Sequence, residues 1–180
     1  MTSQLWSSQP RLVGLMACTR ARGVVAKDRT LPWHYPTELQ HFKQRIGGRP
    51  LLMGRSTIFE MSGFGMLKLA GSKIFVCSKR LASGELHDLG LRGDQTVTAF
   101  SSVDEFVQSV LRQSLALEWP LYMIGGPALA QECLERQLLD EFLLTKIERD
   151  YDGDAFFPLD LLDGQSSGWK CDDHTTESVR

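Results

Sequence analysis

The chain has 180 residues, 42% of them hydrophobic and 23% charged, with a formal net charge of -2. That size and balance describe one ordinary globular domain able to bury roughly 70% of its unfolded surface. With no long basic run and nothing near the ~20 apolar residues of a membrane span, neither nucleic acid nor a membrane is expected as a partner.

Residues 1–10 are polar, end in Pro10 and read as a loose tail. Leu12 to Cys18 is a short apolar run, the pattern of a strand buried on both faces. Within it, Leu15-Met16-Ala17-Cys18 has the look of a lipoprotein cleavage box. Met1 to Gln9 holds no Lys or Arg, however, and the apolar stretch after Arg11 is too short for a secretory signal, so a core strand is the better reading. Thr19 to Thr30 is polar and basic, contains Gly23, and reads as a surface loop.

Pro36 suits the first turn of a helix, where its missing N–H costs little, and Gly47-Gly48 ends that helix after Ile46. At roughly 100° per residue, Glu38, Leu39, Phe42 and Ile46 share one arc with Glu38 at its edge. The residues alone leave two readings of Glu38. Either it is an acid set among apolar groups to meet a planar heterocycle bearing N–H donors, or it is a first-turn acid favoured by the helix macrodipole.

Pro50-Leu51-Leu52-Met53 reads as a second buried strand, and Gly54-Arg55-Ser56-Thr57 turns the chain into a short helix, Ile58 to Met61. Ser62 to Gly71 is a Gly-rich loop, and Lys73 to Ser78 is a third strand. Thr96 to Phe100 is a weaker strand, followed by Ser102-Val103-Asp104-Glu105, a capping-box start to a helix running to about Leu115. Leu121 to Ile124 is a strand, Pro127 opens a helix through Arg136, and Glu141 to Ile147 is the last strand. This alternation predicts an α/β domain with a mostly parallel central sheet flanked by helices. Cys18, Cys77, Cys133 and Cys171 are widely separated, without a zinc-type pair, so no metal site is expected. The first three sit in apolar contexts as buried free thiols, which fits a reducing cytoplasm.

Three strand ends carry phosphate-type chemistry. Gly54-Arg55-Ser56-Thr57 offers an approachable backbone, a fork-shaped cation and hydroxyls at a helix start. Ser78-Lys79-Arg80 adds a hydroxyl and two cations, and Gly125-Gly126-Pro127 exposes a third helix N-terminus. Each is weak alone, but ligands of open α/β sheets bind at the carboxyl ends of strands, where all three lie. Two cation clusters suit a diphosphate with an additional phosphate, hence NADP rather than NAD. The GxGxxG fingerprint is absent, so an ordinary Rossmann domain is excluded.

These segments together resemble the dihydrofolate reductase family over roughly residues 11–171, leaving a polar tail at 172–180. The resemblance is carried by Leu31-Pro32-Trp33 with Glu38, Leu39 and Phe42; by Pro50 to Thr57; by Leu69-Ala70-Gly71; by Ile124-Gly125-Gly126; and by Leu144-Thr145 with Asp152-Gly153-Asp154-Ala155-Phe156-Phe157-Pro158. It implies NADPH as hydride donor to a small-molecule dihydropterin, and a mobile loop at about Val24 to Tyr35, with Leu31, that closes over both rings. By that likeness Glu38 is the acid bonding the pterin N3 and 2-amino group, supported by Trp33 and Thr145. Leu39, Phe42, Met61 and Leu69 would line the channel, and Met16 and Cys18 would meet the ligands through their backbone. Arg55, Ser56, Thr57, Ser78, Lys79 and Arg80 would hold the adenosine phosphates. Val25, Ala26, Ile124 and the Gly125 to Leu129 run (with Pro127 and Ala128) would border the rest of the cofactor. A cis peptide is expected at Gly125-Gly126.

Four positions depart from the family's pattern. Ser72 stands where an Arg grips the tail carboxylate of the substrate, with Lys43, Lys68 or Lys73 as candidate replacements of different geometry. Ala130 replaces a common Tyr, and Ala26 a loop Gly. The chain stops about where the family adds a final strand, so the expectation is an open sheet edge on a monomer, or an edge covered in a dimer. The readings set beside dihydrofolate reduction are therefore reduction of a tail-less dihydropterin or a ribosylaminopyrimidine, and a non-catalytic nucleotide-binding module.

Overall fold

The computed structural model describes residues 12–80, 86–113, 118–163 and 168–169; the tails expected at 1–10 and 172–180, with the question of a closing strand, lie outside the described residues. The strands are β1 (Leu12–Thr19), β2 (Val24–Ala26), β3 (Leu51–Gly54), β4 (Lys73–Cys77), β5 (Thr96–Phe100), β6 (Leu121–Met123), β7 (Glu141–Ile147) and β8 (Ala155–Phe156). The helices are α1 (Pro36–Ile46), α2 (Arg55–Gly63), α3 (Val103–Phe106), α4 (Pro127–Glu135) and α5 (Asp160–Asp163). Six strands form one sheet in the order β5-β4-β3-β6-β1-β7, every neighbouring pair parallel.

Apolar runs make this sheet because both of its faces are covered. Successive residues of a strand point to opposite sides, so Leu12 and Val13 enter different cores. Leu12, Leu52 and Met123 pack with Phe106 and Val110, and with Ala130 and Cys133 of α4. Val13, Leu51 and Met53 pack with Ile46 of α1 and with Ile58 and Met61 of α2. From β1 the chain steps outward through β3, β4 and β5, then doubles back to place β6 between β3 and β1. Such a reversal leaves a crevice at the carboxyl ends of the strands flanking it.

Several expectations are corrected. The polar stretch Thr19 to Thr30 contains β2, which pairs antiparallel with β8. Val24 is fully buried there, but three residues between basic neighbours make too short a pattern to detect. The second helix starts at Arg55 and runs to Gly63, rather than Ile58 to Met61, with Gly54 as an extended N-cap. The loop from Ser62 to Gly71 contains a 3-10 turn at Met66–Leu69. The capping box at Ser102 forms, its hydroxyl accepting from the Glu105 backbone N–H at 3.2 Å, while the Glu105 carboxylate accepts from the Ser101 backbone and hydroxyl at 2.8 Å. That helix then passes into a π segment, Val107–Leu111, and ends there rather than near Leu115.

Gly14 shows how tightly β1 and β7 are packed. A Cβ at that position would lie 2.5 Å from Cδ2 of Phe142, whose ring sits 5.3 Å from that of Phe157. Gly14→Ala is expected to cost about 1–3 kcal/mol of stability, the usual range for overpacking a core. Urea unfolding checks it, with Gly93→Ala, which has open space around its added Cβ, as the near-neutral comparison.

Candidate active site

A cleft of about 620 Å³ opens over the carboxyl ends of β1, β3, β4 and β6, at the crevice left by the doubled-back strand order. Met16 and Ala17 of β1 and Gly54 of β3 contribute to its floor, with α1, α2 and the segment containing Leu31 around it. The backbone comes close here. The Gly54 N–H donates to the Gly125 carbonyl at 2.7 Å, and the Gly125–Gly126 peptide is cis, as the resemblance implies. Gly125 has φ +105°, and a Cβ on it would meet Cε of Met16 at 3.2 Å, so a side chain is excluded by both conformation and space.

One end of the cleft is apolar with carboxyl groups set into it. Glu38, in the first turn of α1, is half-buried beside Leu39, Phe42 and Met61. Burial pushes its carboxyl above the usual range, against the opposing pull of the Trp33 indole and His41. Trp33 is 6% exposed, and its buried Nε1–H makes no hydrogen bond of good geometry among the described residues. The indole thus faces Glu38 outside ordinary bonding geometry, held in place by Tyr151, whose ring centroid lies 5.9 Å away. Tyr151 is itself fixed by a 2.8 Å hydroxyl–hydroxyl bond to Tyr35, the residue before α1. Glu60 of α2 is a second carboxyl in the wall, also raised by burial and partly relieved by the Leu31 backbone N–H.

The other end is built for anions. Arg55, Ser56 and Thr57 open α2, with the Arg55 guanidinium 5.3 Å from the centroid of the Phe59 ring. Ser78 and Lys79 follow β4, and Gly126 and Pro127 begin α4. Two helix starts therefore face the same space as two cations and several hydroxyls, a donor set that fits a phosphorylated dinucleotide. Burial pushes the thiols of Cys77 and Cys133 up to about 12, so neither is a nucleophile at neutral pH.

The structure brings most of the expected residues to this cleft: Leu31, Val25, Ala26, Ile124, Ala128 and Leu129 line it along with those already placed. Others are not in its lining. Cys18 is fully buried in the core behind the floor, Gly125 is buried beneath its partner Gly126, and Trp33 stands behind Glu38. Lys43 lies on the exposed face of α1, and Leu69, Ser72 and Arg80 are exposed on turns outside the cleft. Thr145 is exposed on β7, the end strand of the described sheet. Sequence reasoning missed Glu60, Arg29, Met66 and Asp154. Glu60 was hidden because a helix starting at Ile58 gives no reason to turn it toward the helix N-terminus and its ligand. A start at Arg55 supplies that signal.

The family model described as dihydrofolate reductase matches residues 12–178. A dihydrofolate reductase of Haemophilus influenzae is 32% identical over 144 residues, covering 80% of this chain and 77% of the relative. A dihydrofolate reductase type 3 of Salmonella typhimurium is 30% identical over 160 residues, covering 88% of this chain and 83% of the relative. Among solved structures, the dihydrofolate reductase of Enterococcus faecalis, complexed with NADP(H) and RAB-propyl, superposes with a TM-score of 0.60 at 24% identity, covering 82% and 77% of the two chains.

Glu38 makes a testable link to stability. A carboxyl whose folded pKa is raised binds its proton more tightly when folded, so stability falls as pH rises from the usual carboxylate range through the raised value. In ligand-free protein, Glu38→Gln is therefore expected to melt higher than wild type at pH 7. The advantage should shrink below about pH 4, near the ordinary Glu value. Melting curves across that range check it; a variant that melts lower at neutral pH overturns it.

Proposed function

The chain belongs to the dihydrofolate reductase family, and from that premise we propose how its cleft reduces 7,8-dihydrofolate to tetrahydrofolate with NADPH. The observation that carries the reading is a desolvated carboxyl, Glu38, in the same cleft as Arg55, Lys79 and the start of α4. A pterin presents an N–H and an amino group on one edge, and a carboxylate acceptor matches both. Leu39, Phe42 and Met61 offer apolar surface to the flat ring, so the ring replaces the water that Glu38 lacks.

Arg55, Ser56, Thr57 and Lys79 hold phosphates, and the N–H groups at the start of α4 hold the diphosphate. When bound, NADPH supplies the hydride that pterin C6 receives. The protein's contribution is position and field. Glu38 fixes the ring so that C6 faces the donor side of the cleft, and its negative charge favours a proton at N5 over a neutral nitrogen. Trp33 backs that carboxyl, and its indole N–H is a donor for the water through which the proton passes. Leu31, in the segment over the cleft, excludes bulk water from the reacting atoms.

One observation favours a second reading of the substrate's tail. Ser72, Lys43, Lys68 and Lys73 are exposed and outside the described cleft lining, so none is a clamp for a tail carboxylate from this wall. A dihydropterin without the glutamate is then accepted nearly as well as the tailed one.

Glu38→Gln is expected to lower kcat for dihydrofolate by about 10²–10⁴, the usual range for removing a group that governs proton transfer. Steady-state NADPH oxidation measures it, and wild-type turnover in the variant would sink the assignment. In the same assay Ser72→Arg is expected to lower KM for dihydrofolate about tenfold or more, the worth of a charge-assisted pair, and leave the tail-less pterin unchanged. Equal effects on both substrates would refute the tail argument.

A further inference from the structure

Arg29 lines the cleft without a part in the reaction as described, and its backbone is held where arginine is seldom found. Beyond β2 the chain reverses through Lys27-Asp28-Arg29-Thr30. Lys27 and Thr30 pair antiparallel through reciprocal backbone bonds of 2.9 and 3.0 Å. The two residues between them, Asp28 and Arg29, have φ +49° and +67°, the pattern of a type I′ turn. Such a turn favours Asp or Asn first and Gly second, because a Cβ crowds the backbone at positive φ. Asp28 follows that preference. Arg29 stands where glycine would fit without strain.

The neighbouring chain enforces the turn. The Asp28 N–H donates to the Asp154 carboxylate at 3.0 Å, and the Asp154 N–H donates to the Ala26 carbonyl at 2.9 Å. A backbone held against its preference costs stability, and such positions cluster where a ligand is gripped. The turn carries two cations with different surroundings. The Lys27 ammonium lies 4.0 Å from the Asp152 carboxylate, and Lys27 is not in the cleft lining. Arg29 is in the lining and makes no ion pair or side-chain hydrogen bond among the described residues.

Packing sets the side of the cleft on which this cation stands. Val25 of β2 joins the core that holds Leu129 and Ala130 of α4, so the turn after β2 rises beside α4. The start of α4, at Gly126 and Pro127, opens onto the same space. We propose that Arg29 is a ligand of the dinucleotide's diphosphate, its guanidinium joining the N–H groups at the start of α4. A guanidinium presents its N–H donors as a fork that matches phosphate oxygens. The inference rests on the reductase reading for the identity of the dinucleotide. It adds a contact that none of the three phosphate-type strand ends supplies.

Calorimetric titration of the full-length protein tests it with three variants. Arg29→Gly removes the charge and keeps the turn. It is expected to melt no lower than wild type while the Kd for NADPH rises about tenfold, as when one charge-assisted hydrogen bond is lost. Arg29→Gln, polar but neutral, should lose as much. Arg29→Lys keeps a charge without the fork and should stay within about threefold of wild type. NADH shares the diphosphate and should weaken by the same factor as NADPH. Adenosine 2′-phosphate, which lacks it, and dihydrofolate should bind every variant as they bind wild type.

A Gly or Gln variant that binds NADPH as wild type does overturns the inference. So does a loss confined to NADPH, which would place the contact at the additional phosphate, or a loss for dihydrofolate alone, which would place it at the tail carboxylate. A Gly variant that melts lower overturns it as well, because Arg29 would then be holding the fold rather than a ligand. Wild type that binds neither dinucleotide defeats the reductase reading and the inference together, whereas wild-type binding with unchanged variants defeats the inference alone.

Discussion

A carboxyl group held away from water is the constraint around which the rest of the molecule is arranged. Burial raises the proton affinity of Glu38, and the protein supplies only incomplete relief, from an indole behind it and an imidazole nearby. Left alone, such a group is a liability to the fold. In the proposed reading a ligand edge rich in N–H donors completes it, and the ground-state cost and the recognition of the ring are then two sides of one electrostatic balance. The apolar neighbours Leu39, Phe42 and Met61 line the cleft beside the acid and, in the same reading, offer their surface to the flat face of the ring.

The sheet makes such a site possible by its order. Because β6 returns between β3 and β1, the turns after these strands converge. Glycine at 54, 125 and 126 lets their backbones approach each other and leaves helix starts open to anions. The result is a cleft divided by charge, carboxyl groups in an apolar wall at one end and cations with N–H groups at the other. Such a division would sort a neutral or protonated ring and a polyanionic dinucleotide to opposite ends, as the proposed function requires.

Much of this was legible in the chain because the signals were long or chemically unusual. Helix α1 was read to its exact bounds from Pro36, the apolar arc and Gly47-Gly48, and β7 likewise from Glu141 to Ile147. The three strand termini read as phosphate-type do converge on one end of the cleft, Arg80 excepted, because the doubled-back sheet order brings those strand ends together. What escaped was short or cooperative. Strand β2 exists because Val24 finds Phe156, 132 positions along the chain, and no local pattern encodes that partner. The π segment at Val107–Leu111 departs from the period that sequence reading assumes. Thr145, carried over by likeness to a polar role at the ligand, is exposed on β7, the end strand of the described six-stranded sheet, and is not part of the cleft lining.

The pairing of β2 with β8 has one more consequence. A Cβ on Gly153 would fall 2.3 Å from Cγ1 of Val24 and 2.7 Å from the Ala26 carbonyl, and Asp154 and Tyr151 grip the same segment further along. Stretches far apart in the gene are therefore mated face to face, with an irregularity in register between Val24 and Ala26 that both halves must accommodate. Anyone grafting the roof of this cleft onto a relative has to move both halves together as one cassette, because neither half carries the shape of the other.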